Sequence, residues 1–326
     1  MSNLERDPAE LVVGSAAVVD DAEVEILEPR DVPLGGPRAM NVRRTLPQRR
    51  RSLIGGWCFI DNYGPDDVAV SGGMRVPPHP HTGLQTVTWL FEGEIDHRDS
   101  VGSHALVRPG ELNLMTAGRG ISHSEVSTPG TTRLHGVQLW VALPSASRDV
   151  EPFFEHHVPR LTMVGDARVR AFVGSLAGSG TEATMFSPLV GAELLLPAGA
   201  AVEVPLETAF EHGFLVDEGD VTVAGAPVPV WHLAYLRPGR ASVVVTAGGS
   251  GARLLLLGGE PLGEQIVMWW NFIGRSHEDV VAFRAEWQRD VIDGEDASGR
   301  FGEVAGYDGR PLPAPELPTV RLKPRG

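Results

Sequence analysis

Two short pairs of side chains have the types and spacing to do chemistry. In "PPHPHTG" (77–83), His79 and His81 stand two residues apart; in "GRGISHSEV" (118–126), His123 and Glu125 repeat that spacing. Side chains at i and i+2 of a strand point to the same side, so each pair can converge on one point if its segment is extended. Prolines favour that backbone, because each fixes its own φ and biases the preceding residue away from helix. Pro80 also has no N–H to donate, which suits the first residues of a strand or a bulge. Three imidazoles and one carboxylate are a good donor set for a first-row divalent metal, and an octahedral preference would leave two positions open. Open positions separate a working site from a structural one. Glu125 has a further candidate role as the catalytic base, since a metal-bound carboxylate keeps a lone pair that can accept a substrate proton.

The other reactive residue types lack such pairing. His97, His104, His135, His212, His232 and His277 each stand alone and read as turn, surface or core residues. His97, in "EIDHRDS", is the best placed of them to sit behind a metal ligand. His156 and His157 are adjacent, so a strand would point them to opposite faces. The single cysteine, Cys58, lies in "GGWCFID" among large apolar residues and reads as a buried small hydrophobe. One cysteine allows no disulfide within the chain, which fits a reducing, cytoplasmic setting.

The elements that must position these residues are strands. Runs such as "TVTWLF" (86–91), "ELNLMTAG" (111–118), "LHGVQLWVALP" (134–144), "HGFLVDEG" (212–219), "SVVVTAG" (242–248) and "ARLLLLGG" (252–259) are short, leucine-rich or β-branched, and punctuated by glycine and proline. The two halves also rhyme. A Glu-Gly turn at 92–93 and an "RPG" at 108–110 recur as Glu218-Gly219 and "RPG" at 237–239. Two related β-barrels follow, an all-β architecture joined near the Gly/Ser-rich "GSLAGSGTEA" (174–183). The predicted division is a barrel carrying the metal pairs over 36–175, a second over 176–290, and a Pro/Gly-rich extended tail over 291–326. One helix is expected at 277–290: Ser276 caps it, Asp279 holds the capping-box place, and Val280, Phe283, Trp287 and Val291 share a face expected to pack on a barrel wall.

Composition narrows the function classes. The chain has 326 residues and a formal charge of −14, the wrong sign for a protein whose main task is gripping phosphate backbones. Its one basic cluster, Arg43, Arg44, Arg49, Arg50 and Arg51, reads as a solvated lead-in to the first strand. The leader, residues 1–35, is acidic and expected to be poorly ordered; it lacks the basic start of a secretory signal. No apolar run approaches the ~18 residues of a membrane span.

The run "PPHPHTGLQTVTWLFEGEIDHRDSVGSHALVRPGELNLMTAGRGISHSE" (77–125) resembles the signature of the pirin family, within the cupin superfamily. "IGGWCFIDNYGP" (54–65) is similar to that family's entry strand, "GGEPLGEQIVMWWNFIGRSHEDV" (258–280) to its C-terminal segment, and "GRFGEVAG" (299–306) to the tail of bacterial members. The resemblance implies a bicupin: two double-stranded β-helix barrels face to face, with one metal in the first. It implies His79, His81, His123 and Glu125 as metal ligands, usually for Fe(II), with Mn, Ni, Cu, Co or Zn as alternatives, and a second barrel without ligands. Two departures stand out. Gln85 replaces a frequent glutamate, a change expected to alter polarity near the metal, and "WNFIGRS" replaces the family's "GPFVMNT". Some members resemble flavonol 2,3-dioxygenases, opening quercetin with O2 and releasing carbon monoxide. The implied function is a dioxygenase for a flavonol-type or other enolic aromatic substrate. The alternative is an iron-dependent redox-sensing regulator that binds a protein partner without turnover.

Overall fold

The computed structural model describes residues 23–33 and 41–326. Most of the predicted leader lies outside the described residues. Its described end is not irregular: Glu25–Leu27 and Arg30–Pro33 are strands. Glu25–Leu27 pairs with Leu233–Leu236 and so joins the second barrel, whereas Arg30–Pro33 pairs with Asn41–Leu46 and joins the first. Arg51 clamps Glu25–Leu27 in place, reaching Glu25 at 2.8 Å while its guanidinium covers the Tyr235 ring at 3.3 Å. The basic cluster is therefore partly structural. Arg43 covers Trp231, and Arg44 is buried against Asp61 through bonds of 2.7 and 2.8 Å.

Each barrel is a seven-stranded sheet facing a four-stranded one. In the first, the large sheet centres on Leu84–Glu92, Arg133–Ala142 and Trp57–Asp67, and the small sheet runs Arg75–His81, Ile121–Ser127, Ile95–Asp99, His104–Val107. In the second, Glu211–Glu218, Ala252–Gly259 and Leu189–Leu196 centre the large sheet; the small one runs Ala201–Pro205, Ser242–Ala247, Val221–Val223, Ala226–Val228. The rhyme in the sequence is thus a repeat of topology. Its Glu-Gly turns are matched in detail: Gly93 and Gly219 have φ of 94° and 87°, and a Cβ at either would sit 2.5 or 2.1 Å from a carbonyl oxygen of the facing strand.

The changeover between sheets falls earlier than the Gly/Ser-rich run. Phe153–His157 still pairs in the first barrel, whereas Thr162–Val164 and Ala167–Val173 already belong to the second. "GSLAGSGTEA" is not a linker but contains a tight ribbon, Ser175–Leu176 against Ser179–Gly180, turned by Ala177 and Gly178 at positive φ. Glycine and serine mark a turn as readily as a linker, which is why composition alone misplaced the boundary.

The barrels meet through their large sheets. Val87, Trp89, Leu139 and Val141 from the first pack with Phe172, Leu215, Leu255 and Leu257 from the second, and Trp89 stacks on Phe172 with ring centroids 4.6 Å apart. Within this sandwich the interiors differ. The second barrel is filled by aliphatic side chains, whereas the first encloses polar ones.

His277–Trp287 is α-helical and continues as a π-turn over Gln288–Ile292. Ser276 caps it, its hydroxyl accepting from the Asp279 amide at 3.1 Å. The carboxylate of Asp279 does not close a capping box with Ser276; it accepts at 2.8 Å from both the Arg275 amide and Arg148. The apolar face packs on Trp269, Trp270, Phe272 and Phe301 and on the tail, not on a barrel wall. The tail has no regular structure, yet it is laid along the first barrel: the Leu312 amide donates to the Pro78 carbonyl, and Ile266 and Arg325 exchange backbone bonds. No helix among the described residues is long and apolar enough to cross a membrane.

Candidate metal centre

The ligand candidates lie on adjacent strands of the small sheet in the first barrel. His79 and His123 are direct cross-strand partners. Between His123 and Glu125 the register slips, so that Glu125 faces Val76 and the other strand carries one extra residue at Pro77–Pro78. The "PP" that precedes the histidines is thus a β-bulge on an edge strand, where a missing N–H costs no ladder bond. The bulge brings the Pro77 carbonyl within 2.8 Å of His79 Nδ1. That nitrogen is tied as a donor, and Nε2 of the same ring is buried without a partner.

His79, His81 and His123 converge. Their ring centroids are 4.4–5.0 Å apart, and one ligand nitrogen from each lies within 4.8 Å of the others. All three rings are fully buried. Burial holds His79 down to about 3, and holds His81 and His123 well below the ordinary histidine range, with the neighbouring imidazoles adding to the effect. Three neutral imidazoles with lone pairs aimed at one point, and unpartnered Nε2 atoms on His79 and His123, are what a metal needs and what an apolar core would not tolerate. The donor set fits a divalent metal on chemical grounds.

Glu125 joins this cluster through His123. The second group of ligand atoms within 4.8 Å is His97, His123 and Glu125, so His97 stands at the site and not in the surface or core role that a lone histidine suggests. Deeper in the barrel, the Thr88 hydroxyl lies 3.3 Å from Glu125 Oε1 and 3.0 Å from Gln138 Oε1. Tyr63, its hydroxyl without a partner, is pushed well above the usual tyrosine range by burial, with the Glu125 charge adding to it. Trp140, fully buried, packs edge-on to His81, at 5.1 Å between centroids, and stacks on Phe59 at 4.0 Å.

Gln85 does not line the site. Its amide donates to Thr116 at 2.9 Å and to the Thr184 carbonyl at 2.8 Å, on the opposite face of the strand from Thr88. It touches Thr184, where the second barrel packs on the first, so its polarity is not the metal's. The "WNFIGRS" segment does reach the ligand strand: the Ile273 amide donates to the Thr82 carbonyl, next to His81. His156 and His157 go to Asn113 and Glu155, away from the cluster. Cys58 is buried, its thiol pushed up by burial.

The second barrel contributes no ligand cluster among the described residues. Its equivalent edge pair, Ala201–Pro205 with Ser242–Ala247, sets Val202 against Val245 and Val204 against Val243. These valines fill the interior where the first barrel carries histidines. His212 is buried nearby with an unpartnered Nδ1, and burial lowers it to about 4.

Comparison with known proteins agrees with this architecture. Residues 39–141 match the family model described as Pirin, and residues 191–292 match that of the Pirin C-terminal cupin domain. A Pseudomonas aeruginosa protein, named provisionally as a quercetin 2,3-dioxygenase, is 42% identical over 89% of this chain and 89% of its own length. A pirin-like protein of Caulobacter vibrioides is 36% identical over 76% of this chain and 88% of its own. The crystal structure of a quercetin 2,3-dioxygenase from Acinetobacter baumannii superposes with a TM-score of 0.85 at 36% identity, covering 92% of this chain and 97% of that one. With both barrels matched and the histidine cluster in the first, the chain belongs to the pirin family of bicupins.

Proposed function

We propose that the protein is a metal-dependent dioxygenase for a flavonol-type or other enolic aromatic substrate, with His79, His81, His123 and Glu125 holding one divalent first-row metal, Fe(II) first among the candidates. The observation that carries this reading is the set of three buried, neutral, converging imidazoles with a carboxylate beside them. Relatives and a structural neighbour bearing the quercetin 2,3-dioxygenase name support it. A metal bound there supplies Lewis acidity toward an enolate oxygen and a redox-active centre for O2. The protein's own groups do the rest. Three neutral imidazoles and one carboxylate leave a divalent ion with a net charge of about +1, which favours an anionic, deprotonated substrate. Glu125 accepts the substrate's hydroxyl proton, and Thr88 holds the carboxylate in place while it does so. Trp140, buried and stacked on Phe59, packs edge-on to His81 and backs that ligand ring with an apolar wall.

The test is aerobic incubation of the iron-loaded protein with quercetin, measuring carbon monoxide. Release at one equivalent per quercetin consumed is expected. Glu125→Gln should abolish it even where metal stays bound. No release with Fe, Mn, Ni, Cu or Co would overturn the flavonol reading and leave a metal-dependent regulatory role.

A further inference from the structure

Behind His123 stands a second buried imidazole with its own carboxylate. His97 Nδ1 lies 3.4 Å from His123 Nδ1, and His97 Nε2 lies 3.3 Å from Asp99 Oδ2. The other oxygen of Asp99 accepts from the backbone amides of Val101 at 3.1 Å and Ser103 at 2.9 Å, so the carboxylate is fixed by its own turn. His97 is 3% exposed, Asp99 is 2% exposed, and Phe154 stacks on the His97 ring at 4.7 Å.

With one proton on each imidazole, the hydrogen bonds fit a single arrangement. Asp99 Oδ2 can only accept, so His97 Nε2 carries the proton between them. A neutral His97 then offers Nδ1 as an acceptor. Two facing Nδ1 atoms need one proton, so it belongs to His123. That leaves the lone pair of His123 on Nε2, the nitrogen without a protein partner. His79 reaches the same tautomer by a shorter route, its Nδ1–H donating to the Pro77 carbonyl. Both nitrogens of His97 are engaged, which sets it apart from the convergent ligands although its atoms lie close to theirs.

We propose that His97 and Asp99 are positioning residues: together they fix His123 in the tautomer that presents Nε2 to the metal and make it a stronger donor. A ligand imidazole backed by a carboxylate is a recurring device at metal centres. Here a second imidazole is inserted between the two. The inference rests on the ligand assignment proposed above.

The experiment uses full-length protein loaded with Zn(II), which is diamagnetic. Affinity is measured by competition with a chelator, and histidine tautomers by nitrogen–proton NMR of the imidazoles. In wild type, His123 should show Nδ1–H with zinc on Nε2. His97→Phe, which keeps the stack on Phe154, should weaken zinc roughly 10–100-fold. His97→Gln, whose amide oxygen can still accept from His123, should recover most of that loss, and Asp99→Asn should fall between. Variants with unchanged melting but unchanged zinc affinity would overturn the proposal. A wild-type spectrum with zinc on a His97 nitrogen would overturn it too, making His97 a ligand. If wild type binds no zinc at His79, His81 and His123, the ligand assignment itself fails, and this inference falls with it. Should His97→Phe not fold, His97→Gln and Asp99→Asn carry the same comparison.

Discussion

His212 offers a measurable consequence of burying an imidazole where nothing pairs with it. It is 1% exposed in the second barrel, lining a cavity with Leu176, Val190, Glu207 and Leu256, against Gly258, where any side chain would strike the ring. Burial alone lowers it from 6.5 to about 4. The folded state therefore binds this proton less tightly than the unfolded chain. The stability it leaves intact is fully present above pH 6.5, is lost as pH falls through 6.5 toward about 4, and loses nothing more below that. At 1.36 kcal/mol per pH unit the loss is about 3 kcal/mol at most. The perturbation is His212→Leu, which keeps an apolar shape and removes the titration. The assay is urea unfolding of metal-free wild type and variant at pH 7.5 and pH 4. Wild type should lose about 2–3 kcal/mol more than the variant between those values. The variant should be equal or more stable at pH 7.5, because an unpartnered nitrogen is no longer buried. Equal losses in the two proteins would refute the reasoning.

Other consequences follow from single contacts. Asp61→Ala removes the buried carboxylate that Arg44 grips with two bonds and should cost about 2–4 kcal/mol in urea unfolding, whereas Arg44→Met with Asp61→Leu should recover most of it; additive losses would contradict this. Thr88→Val removes the hydroxyl beside Glu125 and should lower kcat/KM about tenfold with metal content unchanged, read by steady-state turnover. Truncation after residue 298 removes the bonds from Ser122 to the Phe301 carbonyl and from Leu312 to Pro78, both on ligand strands; metal affinity should fall at least tenfold in a competition titration. Gln85→Glu should leave metal affinity unchanged, since that side chain faces Thr116 and the Thr184 carbonyl and not the histidines, while costing about 1–3 kcal/mol of stability for the buried carboxylate.

The parts of this fold that the sequence disclosed are those where physical pattern and purpose coincide. The paired H-x-H and H-x-E spacings report side chains on one face of a strand, whereas the strand start or bulge expected at Pro80 is displaced: the bulge lies at Pro77–Pro78, and Pro80 pairs with Ser122 near the end of Arg75–His81. Glycines at the two Glu-Gly turns report a repeat of topology. What stayed hidden lies where polar residues do the work of core residues. Ile95, His97 and Asp99 all point inward while Asp96 and Arg98 do not. A search for apolar alternation cannot see that strand, because its inward face carries an imidazole and a carboxylate. The H-x-D spacing of His97 and Asp99 was the available signal, and it has the same period as the ligand pairs. Thr88, Gln138 and Tyr63 gave no signal, since their role depends on which strands meet across the barrel. Gln85 misled for a related reason: one residue along a strand reverses the face, and its place in a motif does not fix which face that is. The early changeover between barrels, and the return of Glu25–Leu27 to the second, are long-range pairings that no local pattern encodes.

The proposed function needs one metal held at one place. Anomalous diffraction from crystals grown with iron or nickel, recorded on either side of the metal's absorption edge, tests it most directly. The prediction is a single anomalous peak per chain, within bonding distance of His79 Nε2, His123 Nε2, one nitrogen of His81 and a carboxylate oxygen of Glu125, with His97 outside the ligand shell. A peak elsewhere, no peak in protein that binds the metal in solution, or a site that omits Glu125 would contradict it.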